Sequence, residues 1–163
     1  MSQINFSKLK EKLKGKVLIV GIGNPLKGDD GAGPRLIEKL RSLKTGYSLI
    51  DSGSAPENYL SRIVAEKPDT ILFVDAVEFD GPAGYLKVLA PQDIMDTSLS
   101  THNASLRLSI RYLEEETSAN IILLGIQPKS VLFGENISKE VTDSIDRAVK
   151  LLVSHENKSK DNT

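Results

Sequence analysis

The stretch Gly21-Ile22-Gly23-Asn24-Pro25-Leu26-Lys27-Gly28-Asp29-Asp30-Gly31-Ala32-Gly33 sets two adjacent carboxylates among five glycines, after an apolar run and before a helical periodicity. Gly21-x-Gly23 opens like a dinucleotide fingerprint, and Asp51 stands where a ribose-binding acid would, but position 26 is Leu where the third glycine belongs. Charge weighs further against a phosphate. Asp29 and Asp30 occupy the place where a pyrophosphate needs the backbone donors and the positive helix end for itself. At ~4 Å two like charges repel by about 4 kcal/mol at an effective dielectric of ~20, so these acids oppose an anion and favour a cation.

Two further residues could join them. Asp75 closes the apolar run Phe73-Val74-Asp75-Ala76-Val77, where an isolated carboxylate is costly; taken alone, it fits a helix cap or a satisfied turn acid. His102, in Ser100-Thr101-His102-Asn103, is taken alone a hydrogen-bonding structural residue more often than a ligand. Together the three say more. In a doubly wound sheet the carboxyl ends of the first and third strands are neighbours, so Asp30 and Asp75 can converge, with His102 closing the site from a loop before a helix. Two carboxylates and one imidazole suit a divalent transition metal with open positions, whereas a permanent structural zinc site wants four ligands and no cysteine exists to help.

The elements that must position these residues are legible from periodicity. Apolar strands run over Lys16 to Val20, Tyr47 to Asp51, Thr70 to Ala76 and Ile121 to Ile126. Helical spacing recurs from Pro34 to Leu43, in Tyr59, Leu60, Ile63 and Val64, in Leu106, Ile110 and Leu113, and in Val141, Ile145, Val149 and Leu152, with Ser138 as the cap of the last helix. Tyr85 to Leu89 follows the Gly81-Pro82-Ala83-Gly84 turn so closely that it is expected as an antiparallel neighbour of the third strand. The expected fold is therefore a three-layer α/β/α sandwich around a mostly parallel, twisted, mixed sheet of about five strands. Residues 1–15 are expected as a short helical arm, 16–153 as the single domain and 154–163 as a polar, disordered tail.

The combination Gly21-x-Gly23-Asn24-x-x-x-x-Asp29-Asp30-Gly31, Val74-Asp75-Ala76, Ser100-Thr101-His102-Asn103 and Gly125-Ile126-Gln127-Pro128 resembles the nickel–iron hydrogenase maturation endopeptidases. The resemblance runs from about Lys16 to Leu152 and is strongest to the branch that processes the large subunit of the formate-hydrogenlyase hydrogenase. It implies an endopeptidase, often grouped with the aspartic type, that removes a C-terminal extension from the large-subunit precursor after nickel insertion. The family's metal-contacting acids fall on Asp30 and Asp75 and its histidine on His102. The nickel would be carried by the substrate rather than permanently bound. Many relatives carry Glu at the position of Asp30, so ligand reach here depends on backbone placement. Ala104-Ser105 stands where relatives often have a small or apolar residue and proline. Asp29 is expected to orient the loop, Asn24 to hold it and Asp51 to support the ligands, although each also fits a plain turn residue.

Three rivals remain at this point. A serine hydrolase would use Ser54 or Ser100 with His102, but no Gly-x-Ser-x-Gly elbow is present. A non-catalytic nickel-sensing chaperone for the same precursor would need the same ligands without cleavage. The third is the dinucleotide-binding domain already weighed. Composition bounds all of them. The 163 residues suffice for one ordinary domain, 39% hydrophobic residues supply a core, and a formal charge of −1 gives no broad attraction to nucleic acid. With Cys at 0, disulfides, thiolate metal sites and a cysteine nucleophile are excluded. No apolar run approaches the ~20 residues of a membrane span and no signal-peptide pattern opens the chain, so a cytoplasmic monomer is expected.

Overall fold

A computed structural model describes residues 6–95 and 103–161. Its elements are α1 (Phe6–Lys12), β1 (Val17–Gly21), a 3₁₀ turn (Gly28–Gly31), α2 (Ala32–Ser42), β2 (Ser48–Asp51), a second 3₁₀ turn (Pro56–Tyr59), α3 (Leu60–Ala65), β3 (Thr70–Ala76), β4 (Leu86–Leu89), α4 (Pro91–Met95), α5 (Asn103–Glu116), β5 (Asn120–Ile126) and α6 (Lys139–Asp161). The five strands form one sheet in the order β2-β1-β3-β5-β4, parallel except for β4.

Side chains alternate between the faces of a strand, and here both faces are apolar. Ile19, Leu72, Val74, Ile122 and Leu124 pack with Leu36, Ile37 and Leu40 of α2 and with Val141, Ile145 and Leu152 of α6. Leu18, Val20, Ile71, Phe73 and Leu123 pack on the other side with Ile63 of α3, Ile94 of α4 and Leu106, Ile110 and Leu113 of α5. The result is the three-layer sandwich, with helices on both faces of a mostly parallel sheet.

Two expectations are corrected. Tyr85 to Leu89 does not neighbour the third strand: β4 pairs antiparallel with β5, Leu86 opposite Ile126 and Leu89 opposite Leu123. Every residue of β3 is buried, and both of its edges are taken by β1 and β5, whereas β4 exposes Lys87 as an edge strand can. The polar tail expected from residue 154 is instead helix through Asp161. It is tied down beyond the last apolar turn: the Glu156 carboxylate accepts the Gly46 N–H and meets Lys160 at 3.3 Å, and the Tyr47 hydroxyl donates to the Leu152 carbonyl at 2.7 Å. At the other end of the sheet's first crossover, Leu43 falls just past α2 and is 55% exposed, so the helical spacing that included it overran by one turn position.

Candidate active site

The loop after β1 is laid across the carboxyl ends of three strands by backbone bonds. Ile22 donates to the Val74 carbonyl at 2.8 Å, Gly23 to Gly53 at 2.8 Å, and Ser52 returns a bond to Gly21 at 2.9 Å. Gly23 has φ +139, and a Cβ there would lie 1.8 Å from the Asp30 carbonyl oxygen, so only glycine lets the loop close this tightly. Asn24 does what the sequence suggested: its Oδ1 accepts the Leu26 N–H at 2.9 Å in an Asx turn. Its own N–H donates to Asp30 Oδ2 at 2.9 Å. Asp30 is thereby fixed by the first residues of its own loop while only 2% exposed.

Asp29 is engaged elsewhere. Its Oδ2 accepts the Lys129 N–H at 2.8 Å, the Ser138 hydroxyl at 2.9 Å and the Ser130 N–H at 3.4 Å, and its Oδ1 accepts the Ser138 N–H at 2.7 Å. Its own N–H donates to the Ser130 carbonyl at 2.9 Å. The carboxylate thus clamps the segment between β5 and α6 onto the loop. Ser138 Oγ also accepts the Val141 N–H at 3.4 Å and caps α6.

Asp75 is the sixth residue of β3 and fully buried. Alternation places its side chain on the face of Ile71 and Phe73, the face covered by α3, α4 and α5. The 3₁₀ turn carrying Asp30 packs against β3, so the two acids stand at the same carboxyl edge of the sheet. His102 lies outside the described residues. The next residue, Asn103, opens α5, and the Ser105 hydroxyl bonds the Glu57 carboxylate, which sets the start of α5 beside the turn that follows β2. The α5 helix then runs back toward the amino end of β5, as a crossover helix must. Among the described residues, no group of three or more His, Cys, Asp or Glu side chains is placed to hold a metal ion.

Other residues prove to be supports. Asp51 Oδ1 accepts the Gly53 N–H at 3.0 Å, a local turn bond. Ser54 is exposed in that turn, and Ser100 lies outside the described residues. Gln127 has a role the sequence did not disclose, although a polar residue directly after an apolar strand is a usable signal for one. Its Oε1 accepts the Phe79 N–H at 2.6 Å and the Gly81 N–H at 3.4 Å, while its Nε2 donates to the Glu78 carboxylate at 2.7 Å. That pins the β3–β4 connection over the end of β5. A cleft of about 650 Å³ adjoins the loop, lined by Pro25, Gly31, Arg35, Asp51, Glu135 and Asn136 among others.

The family model for HycI, hydrogenase maturation protease, matches residues 34–155. The chain belongs to the hydrogenase maturation protease family. The hydrogenase 3 maturation protease of Escherichia coli K12 is 35% identical over 137 residues, covering 83% of this chain and 87% of the relative. Among solved structures, the [NiFe] hydrogenase maturation protease HycI of Thermococcus kodakarensis KOD1 superposes with a TM-score of 0.83 at 32% identity, over 92% of this chain and 99% of that one. The endopeptidase HycI of Escherichia coli gives a TM-score of 0.75 at 31% identity, over 83% and 88%. The protease is therefore a hydrolase of the peptide bond, on the same three-layer fold. The family model covers Asp75 and His102 and begins just after the glycine-rich loop, so Asp30 is placed by the loop geometry and the sequence pattern. No described helix of the protease is long and apolar enough to cross a membrane.

Proposed function

We propose that this protease removes the C-terminal extension of a nickel–iron hydrogenase large-subunit precursor once nickel has been inserted, and that it recognises the substrate's nickel through Asp30, Asp75 and His102. The observation that carries this reading is the delivery of two buried carboxylates, from different strand ends, to one edge of the sheet in a member of this family. A carboxylate that a protein hides from water needs a cation or donors to repay its desolvation. Asp29 obtains donors from its own chain, and in this proposal Asp30 and Asp75 also serve an ion that arrives with the client.

The nickel, held by the precursor, docks against the three side chains and aligns the scissile peptide beside it. It polarises the carbonyl or acidifies a water, and one of the two carboxylates moves the proton to the leaving amine. The working unit in this proposal is a single chain in the cytoplasm, with no resident metal and no nucleic acid involved.

The test is mass spectrometry of the precursor incubated with the protein, with and without nickel. Loss of a C-terminal peptide only from the nickel-loaded precursor is the expected result, and the Asp30→Ala, Asp75→Ala and His102→Ala proteins should each lose it. Undiminished cleavage by all three variants overturns the ligand set. Binding of the precursor without any change in its mass would instead mark a chaperone.

A further inference from the structure

The loop that holds Asp30 also presents one end of an exposed apolar patch. Leu26 is 60% exposed, and on the neighbouring segment Leu132 is 65% and Phe133 75% exposed. The Gly134 N–H donates to the Leu26 carbonyl at 2.8 Å and the Gly28 N–H to the Glu135 carbonyl at 3.2 Å, so the two segments form one unit. Below them the Asp29 carboxylate fastens residues 129, 130 and 138 to the loop. Gly28 completes the joint: at φ +52, a Cβ there would come within 2.7 Å of the Ser130 carbonyl oxygen. The patch is therefore held at a fixed offset from Asp30 by bonds to Leu26, Gly28 and Asp29 of the loop, although its side chains reach into water.

Large apolar side chains grouped in solvent mark a contact surface, and a few such anchors carry most of the energy of an interface. Three side chains of this size present on the order of 400 Å², about half of the ~800 Å² per partner of a stable complex. That suits a client that binds and leaves better than a permanent second copy. Lys27 and Lys129 stand exposed beside the patch, the latter paired with Glu140 at 3.1 Å.

We infer that Leu26, Leu132 and Phe133 are the anchor by which the protease docks the folded body of its precursor, a partner that would meet them with an apolar depression beside its metal-bearing end. The inference rests on the proposed function for the identity of the client. Docking here sets Asp30 against the client at a distance fixed by the Asp29 clamp. It gives the protease a way to engage folded precursor rather than any chain bearing the scissile sequence.

The experiment compares the parent protein with a Leu26→Ser, Leu132→Ser, Phe133→Ser variant. On nickel-loaded precursor, KM is expected to rise at least about tenfold with kcat within about twofold, the pattern of lost uniform binding. Affinity for the precursor, compared by titration with and without the three serines on an Asp30→Asn background in which cleavage is slowed, is expected to fall by the same factor. Unchanged KM and affinity overturn the inference. So does a dimer of the parent chain that the triple variant dissociates in sedimentation, because the patch would then belong to a second copy. A parent protein that binds the precursor through the patch but never shortens it refutes the proposed cleavage and leaves the docking surface standing.

Discussion

Asp29 and Asp30 are adjacent in the chain, yet their hydrogen bonds run in opposite directions. The Asp29 carboxylate serves Lys129, Ser130 and Ser138, and the Asp30 carboxylate takes the N–H of Asn24 at 2.9 Å. One acid assembles the scaffold, and its neighbour is the one that faces the chemistry in the proposed function. Removing the first should therefore act on stability. Asp29→Ala leaves buried N–H groups of the β5–α6 segment without an acceptor, and hydrogen bonds to a charged group are worth about 1.5–3 kcal/mol each. A loss of about 3 kcal/mol in urea unfolding is expected, larger than for Ser138→Ala, which removes one of those donors and an α6 cap worth about 1 kcal/mol.

Asp30→Asn should separate in the other way. Asparagine keeps an oxygen for the Asn24 N–H, so the loop retains its shape and stability should change by no more than about 1 kcal/mol. The charge that would hold a cation is gone. Cleavage of nickel-loaded precursor is expected to fall at least about 100-fold, a barrier change of roughly 2.7 kcal/mol. Circular dichroism melts beside a mass-spectrometric time course read both quantities; a variant that melts normally and cleaves normally removes Asp30 from the site.

This division of labour was only partly legible in the sequence. Continuous apolar runs and helical spacing locate β1, β3, β5 and the helices α2, α3, α5 and α6 well, because each buries a face whose period is set by its own geometry, whereas the five-residue α4 is too short to show such a period. Strand pairing is less local. Whether β4 lies beside β3 or β5 depends on which edge of β3 the parallel strand β5 claims, and no turn residue between Ala76 and Leu86 encodes that. The carboxylates of the loop were recognisable as a pair, but their separate partners lie as far away as residue 138, so spacing could not assign the roles. Gln127 is the same case: its partners are the backbone N–H groups of Phe79 and Gly81, across the sheet's end.

The Gly28 joint offers a stability test with an internal control. Gly28 and Gly53 both have positive φ, +52 and +56, but a Cβ at Gly53 meets nothing within 4 Å, whereas at Gly28 it meets backbone. Gly53→Ala should cost only the left-handed penalty of about 1 kcal/mol. Gly28→Ala adds displacement of the Ser130 carbonyl and is expected to cost about 3 kcal/mol. It should also raise the KM for precursor, since the docking patch shifts relative to Asp30. Equal destabilisation by the two substitutions would mean that the loop and the 130–138 segment yield freely.

His155 couples the last helix to pH. It sits partly buried on α6, its Nδ1 3.4 Å from the Tyr47 hydroxyl, a phenol that burial pushes well above its ordinary range. Burial lowers the imidazole below its usual 6.5, with Lys10 adding in the same direction against a backbone hydrogen bond at Leu13. The folded protein therefore takes up this proton less readily than the unfolded chain. Above 6.5 both states hold the ring neutral and stability is intact. As pH falls below that value the unfolded chain binds the proton first, and stability declines until the folded ring titrates too. A His155→Gln variant lacks this loss, so its melting temperature should fall less than the parent's between about pH 7.5 and about pH 5.5. Parallel pH profiles for the two proteins would show that the imidazole is solvated in the fold as it is in the unfolded chain.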